Sequence, residues 1–425
     1  MTASSGGSGG SGGSAYWIPV ICGALILTIG IGARQSFGIF QTPIAADLGV
    51  GRELWSFANA AAMLLVGAVS PFVGGWADRL GAPRVVAVGG VLYAGGLFMI
   101  AMASEGVLLV AGSLVSGVGM AAAGFGPILG AIGRRIPPEK TSLALGLVVA
   151  GGSFGQFAIV PFASAMQSLL GDWHMTMTIL GVMSIAMIPL ALGLRAGKPV
   201  AGKSAASSTA PKQSVSEALR EAFAVPGFWL LTAGFFVCGF HVSFIGLHLP
   251  PYIADNAVGL TLGGTVISPL ELGGWAIGLV GLFNIAGSIM WGWLGGKFPR
   301  KDMLALLYAL RSLGFLVFLV LPLSATSVLI FAASLGFLWL GTISLTSGLV
   351  GYLFGPAYMG MLYGVVFFSH QLGSFFGGWG AGRLYDIQGD YDWMWWISIG
   401  LGLFAAAMHW LIRERPVARL APAPA

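Results

Sequence analysis

Long apolar stretches separated by short polar ones run through almost the whole chain. Twelve of them reach the roughly 20 residues that a helix needs to cross a bilayer. They occupy residues 16–46, 54–77, 84–103, 107–133, 141–170, 173–196, 227–254, 272–297, 302–324, 326–355, 358–385 and 392–412. The runs are continuous and show no period of two, which argues against a β-barrel. The pattern predicts an all-α membrane protein with twelve transmembrane helices.

The longest polar interruption divides these spans into six and six. It runs from Lys198 to Phe223, is rich in Ser, Ala, Lys and Pro, and ends in a stretch typical of a short surface helix, 215–223. The first residues, MTASSGGSGGSGGS, have the composition of a flexible linker and no signal-peptide pattern. We therefore expect five segments: a Gly/Ser linker at 1–14, an N-terminal six-helix bundle at 15–197, a cytoplasmic linker at 198–226, a C-terminal six-helix bundle at 227–413 and a tail at 414–425.

Composition supports the membrane interpretation and limits the chemistry. Hydrophobic residues make up 56% of the chain and charged residues only 8%, whereas about 25% is usual in soluble domains. The 68 glycines suit close helix packing in lipid. Cys22 and Cys238 both lie in apolar stretches without metal-ligand spacing, so we interpret them as small core residues. We expect no metal, no cofactor and no enzyme activity.

The basic residues collect on one side of the predicted membrane. Arg52 and Arg383 fall on the opposite side. Because Lys and Arg mark cytoplasmic loops, we expect a multi-pass protein of the cytoplasmic (inner) membrane with both termini in the cytoplasm. The net charge of +5 is then a topology signal and gives no reason to expect nucleic acid as a partner. The residues of the basic side are Arg79, Arg84, Arg134, Arg135, Lys140, Arg195, Lys198, Lys203, Lys212, Arg220, Lys297, Arg300, Lys301, Arg413, Arg415 and Arg419.

Two loops repeat a glycine-rich, charged pattern. GGWADRLGAPR follows the second span, and GWLGGKFPRKD follows the eighth. The first resembles the signature loop of the major facilitator superfamily, which closes the cytoplasmic side in that family, so the resemblance implies a gating role for Asp78, Arg79 and Arg84. The second copy has Gly295 or Gly296 where an acid would stand. The resemblance covers the chain from residue 15 onward and implies two pseudo-symmetric six-helix bundles with a midplane substrate site.

Two arginines, Arg34 and Arg311, lie within predicted spans. An arginine at the bilayer centre costs about 2.5–3.5 kcal/mol or more, so each needs compensation from a watery cavity, from backbone carbonyls or from an anionic ligand. No embedded carboxylate is left to pair with them, because every acid falls in a loop or at the end of a span. The acids are Asp47, Glu53, Asp78, Glu105, Glu139, Asp172, Glu217, Glu221, Asp255, Glu271, Asp302, Asp386, Asp390, Asp392 and Glu414.

Other polar and aromatic residues fall near the middle of the spans. His241, His248 and Tyr252 are spaced to share one helix face, and so are Tyr363, Phe367, His370 and Ser374. With the arginines, these patterns predict a set of substrate-binding residues: Arg34, Arg311, His241, Tyr252, Asn284, His370, Gln371, Phe37, Phe240 and Phe367. If a proton is carried, the candidates are His241, His248 and His370, because histidine titrates near neutral pH.

A finer resemblance comes from RQSFGIF, HVSFIGLHLPPYI and HQLGSFFGGWGAGRLYDIQGDY, which are similar to bacterial relatives of the monocarboxylate transporters and oxalate:formate antiporters. It implies a substrate-facing role for Arg34. The monocarboxylate group's span-eight arginine is missing, since Asn284 is the polar residue there, and the region of His370 replaces the antiporters' span-eleven lysine. We therefore predict a monomeric secondary transporter of small mono- or dicarboxylates, working by alternating access with proton symport or anion exchange.

The main alternative is an exporter of drugs or other hydrophobic solutes with the same fold. An exporter of cations would be expected to carry a membrane-embedded Asp or Glu, and none is available. Proton symport of sugars or neutral solutes is weakened for the same reason. A receptor or scaffold would not need polar residues at mid-depth in both halves, although the fold alone does not decide this.

Overall fold

The computed structural model describes residues 17–133, 135–136, 138–195, 213–256, 261–262, 264–355 and 358–420, and these are almost entirely helical. A short antiparallel hairpin, β1 (Thr261–Leu262) and β2 (Thr265–Val266), lies between two helices. The α-helices are α1 (Trp17–Gln35), α2 (Gln41–Leu48), α3 (Arg52–Trp76), α4 (Ala82–Ala101), α5 (Gly106–Ala122), α6 (Phe125–Gly133), α7 (Pro138–Leu170), α8 (Trp173–Ile185), α9 (Met187–Gly193), α10 (Val215–Ala224), α11 (Pro226–Asn256), α12 (Pro269–Lys297), α13 (Arg300–Val320), α14 (Ala325–Phe337), α15 (Gly341–Phe354), α16 (Met359–Gln388) and α17 (Asp392–Trp410).

The predicted spans match these helices to within a few residues. Within the described part of the chain, nine helical stretches are long and apolar enough to cross a membrane. One of them, Arg52–Ala101, contains both α3 and α4, which are separated by a π-helical turn (Ala77–Gly81) that ends at Gly81 with a φ of +90°. The long helices α16 and α17 add two further crossings. The fold is therefore the predicted all-α membrane fold with twelve spans.

Alternate ends of the spans define two faces of the molecule. We call the face at the ends of α3, α6, α9, α12, α15 and α17 the basic face, and the opposite one the far face. Arg79, Arg84, Lys297 and Arg413 are exposed at the basic face. Residues 1–16, Arg134 and the linker lysines up to residue 212 lie outside the described residues, so the predicted domain boundaries remain a prediction.

Equivalent helices of the two halves pack in the same way. In the first half α1 packs along α7 and α4 along α8, while in the second α11 packs along α16 and α13 along α17. The halves meet through α3 against α16 and through α7 against α12, which are equivalent pairs. The chain thus forms two pseudo-symmetric bundles facing each other.

The linker contains the predicted surface helix, α10. It begins with a capping box in which the Ser214 hydroxyl accepts from the Glu217 N–H and the Glu217 carboxylate accepts from the Ser214 N–H. These hydrogen bonds lower the pKa of Glu217 below its ordinary value. Arg419 donates to Glu221 (3.2 Å), and the Val417 N–H donates to the Leu353 carbonyl (2.9 Å), so the tail lies against α10 and α15.

The contact between α11 and α16 depends on glycine. A methyl group placed at Gly373 would overlap the Phe236 carbonyl oxygen, and one at Gly239 would overlap that of His370. Both contacts are with backbone, so the helices would have to move apart to accept any side chain.

We expect Gly373→Ala to destabilise the protein by about 1–3 kcal/mol, because the added methyl group overpacks a helix crossing. Gly364→Ala on the same helix is the matched control, since a methyl group there meets nothing within 4 Å. Thermal unfolding in detergent measures the difference. Equal melting temperatures for the two variants would contradict this account of the packing.

Candidate functional site

Four of the described spans are interrupted: the sixth at the single residue Ala186, and three others over longer segments. The first changes from α1 to a 3-10 segment at Ser36, the fourth breaks between Ala122 and Phe125, and the tenth breaks between Phe337 and Gly341. Interrupted helices free backbone carbonyls and N–H groups, and in membrane transporters such breaks line the substrate site. The polar side chains beside these three breaks are therefore candidates for the substrate site.

Arg34 lies in the last turn of α1, directly before the first break. Its side chain is half-buried, and its guanidinium carbon is 5.0 Å from the Phe37 ring centroid. Its Nε is buried without an acceptor. Among the described residues, no carboxylate or carbonyl is hydrogen-bonded to Arg34.

The direction of Arg34 follows from the rest of α1. The exposed apolar residues of this helix are Ile18, Ile21 and Leu25, which form one stripe. At about 100° per residue, Arg34 lies on nearly the opposite side of the helix from that stripe. Arg34 therefore points away from the lipid-facing side and into the protein.

Aromatic residues of the first half surround this position. The Tyr93 hydroxyl donates to the Gly30 carbonyl (2.8 Å), one turn before Arg34. A methyl group at Gly152 would touch both Ile31 and Phe125, which places Phe125, at the second break, beside the same face of α1. The sequence analysis did not identify Tyr93 or Phe125, although Gly124 before Phe125 was a signal of a helix break.

In the second half, His370 and Gln371 lie where α16 crosses α3. The Gln371 side-chain N–H donates to the Met63 carbonyl (2.8 Å), and its oxygen is 3.0 Å from His370 Nδ1, which we assign as the protonated ring nitrogen. His370 Nε2 is buried without a partner. The half-buried Phe367 stacks on the His370 ring at 5.4 Å.

Arg311 has hydrogen-bond partners within the protein in this conformation. It is fully buried, and its Nη2 donates to the carbonyls of Leu338 (2.5 Å) and Trp339 (2.8 Å), which the break between α14 and α15 has freed. Its Nη1 is 3.9 Å from the sulfur of Cys238. Backbone carbonyls thus compensate this charge, which is one of the three possibilities that the sequence left open.

His241 and Tyr252 share one face of α11, as predicted, but that face packs against α17. His241 Nε2 is 2.8 Å from the Ser398 carbonyl, and the Tyr252 ring is 5.2 Å from that of Trp395. Of these two, His241 is completely inaccessible to solvent. Both residues are away from the crossing of α3 and α16 in this conformation.

Asn284, Phe37 and Phe240 are also buried. The Asn284 side chain donates to Ser153 (2.8 Å) and accepts from the Leu340 N–H (3.0 Å) at the third break, so it joins the two halves. Phe37 packs on Trp55 at 5.3 Å, and Phe240 is 6% exposed. These three residues support the walls of the central region and do not reach solvent.

A charged cluster joins the two halves at the far face. Both terminal nitrogens of Arg52 donate to the Asp255 carboxylate (2.6 and 2.7 Å), and Nη1 also donates to the Tyr391 hydroxyl (3.0 Å). The Asp386 carboxylate accepts from the backbone N–H groups of Arg52 and Glu53. We call Arg52, Asp255, Asp386 and Tyr391 the far gate.

His248 lies directly behind the far gate. Its Nδ1 is 3.0 Å from the Tyr391 hydroxyl, and its Nε2 is 2.8 Å from the Gly378 carbonyl. A neutral ring that donates from Nε2 and accepts at Nδ1 satisfies both bonds. His248 is fully buried, so a proton can reach it only after these contacts open.

Further polar contacts between the halves extend from midspan towards the far face. Gln156 donates to the Ile277 carbonyl (3.0 Å), and Ser164 donates to the Leu270 carbonyl (2.8 Å). Together with the far gate, these contacts close the far face.

Comparison with known proteins agrees with this architecture. The family model described as Major Facilitator Superfamily matches residues 20–378 and 265–424. The chain is 26% identical over 393 residues to YcxA, an uncharacterised MFS-type transporter of Bacillus subtilis, covering 88% of this chain and 89% of YcxA. It is 26% identical over 391 residues to monocarboxylate transporter 11 of Mus musculus, covering 88% and 82%.

Solved structures share the fold at low identity. A bacterial homologue of the human lysosomal transporter Spinster, in an inward-facing and occupied conformation, superposes with a TM-score of 0.75 at 15% identity, covering 96% of this chain and 99% of that one. A D-xylose–proton symporter superposes with a TM-score of 0.73 at 14% identity, covering 95% and 100%.

We expect Arg52→Gln to open the far gate more often, because it removes the charge that holds Asp255 and Tyr391 together. Ser56 is fully buried behind the gate. The rate at which Ser56→Cys reacts with a membrane-impermeant maleimide in oriented proteoliposomes therefore reports how often the gate opens. The partly buried charged pair of Arg52 and Asp255 is worth about 1.4 kcal/mol or more. Its loss should therefore make labelling of Ser56→Cys at least about tenfold faster than in the protein with Arg52.

Arg383→Gln in the same reporter background is the control, since its ion pair with Glu53 is exposed and worth little. We expect less than a twofold change for this variant. Equal acceleration in both variants, or none in Arg52→Gln, would show that the far gate does not hold the halves together.

Proposed function

The chain belongs to the major facilitator superfamily, and on that premise we propose that this transporter carries small organic anions, mono- or dicarboxylates, bound at Arg34. The proposal depends above all on Arg34 itself: a guanidinium that is half-buried, points into the protein and has no anionic partner among the described residues. A carboxylate offers two oxygens to this planar fork and would supply the missing charge.

The position of Arg34 supports this proposal. It stands at a helix break in the span equivalent to α11, close to Phe125 at a second break. Charged side chains inside a membrane are retained where they serve a ligand or a pathway. Two relatives named as monocarboxylate transporters, one from mouse and one from rat at 25% identity over 401 residues, are consistent with a carboxylate as cargo.

For the second half of the site we propose Phe367, His370 and Gln371. They are the predicted residues that lie at the crossing of α3 and α16. The partnerless Nε2 of His370 offers either a hydrogen bond to the anion or a place for a proton. Asn284, Arg311, Phe37, Phe240, His241 and Tyr252 are proposed to support this region and to contact substrate only after the halves rearrange.

For orientation we propose that the basic face is cytoplasmic, in the inner membrane, with both termini on that side. In this orientation the closed far gate lies on the outer side of the membrane. Asp78, Arg79 and Arg84, exposed at the basic face, are proposed to close that side in the opposite conformation. Proton symport and anion exchange both fit this arrangement, with His248 and His370 as the proton-carrying candidates.

We expect Arg34→Gln to reduce transport of the cargo anion at least about thirtyfold, because truncating one partner of a buried charged contact costs about 2 kcal/mol or more. Counterflow in proteoliposomes, with labelled mono- and dicarboxylates beside a neutral sugar and a hydrophobic cation, measures it. Arg34→Lys should retain part of the activity, since it keeps the charge but loses the fork.

Arg383→Gln, which removes a charge at the exposed far face, is the matched control and should transport normally. Transport of the cation in place of every anion would favour the drug-exporter alternative. Undiminished anion transport by Arg34→Gln would show that the anion binds elsewhere.

A further inference from the structure

A cavity of about 730 Å³ opens at the basic face of the second half, away from Arg34. Its walls are the end of α12, the start of α13, Tyr352 of α15 and the segment after α17. None of the far-gate residues and none of the residues proposed to bind the anion lines this cavity.

The cavity is strongly basic. Its lining includes the cations Lys297, Arg300, Lys301, Arg413 and Arg415, and one acid, Glu414. The Glu414 carboxylate accepts from the Lys301 backbone N–H (3.0 Å) and from Arg300 (3.4 Å). The tail thus supplies an acid to the loop whose sequence lacks one at Gly295 and Gly296.

Three of the five cations remain available to a ligand. Lys301 is engaged by Asp302 (3.3 Å) and by the Trp410 carbonyl (2.9 Å). Lys297, Arg413 and Arg415 are exposed, and among the described residues no carboxylate pairs with them. The Lys297 ammonium lies over the exposed Trp293 ring, 3.8 Å from its centroid, so its charge is not neutralised there. Mutual repulsion among these side chains favours the binding of an anion.

The depth of the cavity follows from the exposed tryptophans. On α12 an exposed apolar stripe runs from Trp275 through Leu282 and Ile289 to Trp293. The two tryptophans are 18 residues apart, about 27 Å, which is close to the thickness of the hydrocarbon core. Tryptophans mark the membrane–water interfaces, so Lys297, one turn beyond Trp293, lies at headgroup level.

The last transmembrane helix gives the same depth. Exposed Trp393 and Trp410 stand near its two ends, and Leu403 and Phe404 are exposed between them. Arg413 and Arg415 follow Trp410 by one turn or slightly more. The cavity therefore lies at the level of lipid phosphates, with an apolar lipid-facing stripe on a helix at either side.

We propose that this cavity binds the phosphate headgroup of an anionic phospholipid from the adjacent leaflet. Lys297, Arg413 and Arg415 contact the phosphate, while the acyl chains lie along the exposed stripes of α12 and α17. The charge favours an anion, and the position at headgroup level, one turn beyond the exposed Trp293 and Trp410, favours a lipid over a free phosphate. The bound lipid would hold the tail against the loop between α12 and α13.

The test is native mass spectrometry of the full chain released from nanodiscs that contain equal parts of phosphatidylglycerol, phosphatidylethanolamine and phosphatidylcholine. The wild type should retain phosphatidylglycerol selectively. The double variant R413Q/R415Q should retain at least about tenfold less, because each basic group near the surface contributes to anionic-lipid binding. Both arginines are exposed, so the fold should be unaffected.

The control R195Q/R220Q removes two exposed charges from the same face outside the cavity and should retain phosphatidylglycerol like the wild type. If both double variants lost phosphatidylglycerol equally, general surface charge would explain its retention, and the proposal would be overturned. Equal retention of all three lipids would overturn it as well. Displacement of the lipid by millimolar inorganic phosphate would identify a free-phosphate site instead. None of these outcomes depends on which solute is transported.

Discussion

A positive charge without a fixed counter-charge, held inside an apolar bundle, is the constraint on which the structure depends. Protein carbonyls or a ligand can compensate such a group, and the two arginines within the spans differ in this respect. Arg311 has taken the carbonyls of a broken helix, which makes it part of the scaffold. Arg34 stands beside another break without using its carbonyls, which leaves its charge available to a ligand.

The contacts between the halves explain how such a site can be exposed to one side at a time. The far gate is built from long-range ionic and phenolic contacts, so it can separate without disturbing the glycine-tight packing inside each half. At midspan the side-chain amides of Gln371, Asn284 and Gln156 each donate to the opposite half. Neutral hydrogen bonds of this kind are individually weak in membranes, so breaking them costs little.

The sequence predicted the twelve helices well, because spanning length and basic-residue asymmetry are properties of short segments. It also predicted that Arg34 has no carboxylate partner, since that conclusion needed only the positions of the acids. It did not predict the far gate, because tertiary packing brings together Arg52, Asp255 and Asp386 from the ends of three helices that are distant in sequence. The face shared by His241 and Tyr252 was correct, but helical periodicity does not say which neighbour a face meets. The breaks that decide the environments of Arg34 and Arg311 likewise depend on packing between helices.

The most direct test of the central claim is a crystal structure with a short bromine-labelled carboxylate, located by its anomalous signal. We predict that its carboxylate lies within hydrogen-bond distance, about 2.7–2.9 Å, of both terminal nitrogens of Arg34, beside Phe125 and facing Phe367. A label bound elsewhere, with the Arg34 guanidinium turned to backbone carbonyls as that of Arg311 is, would contradict it.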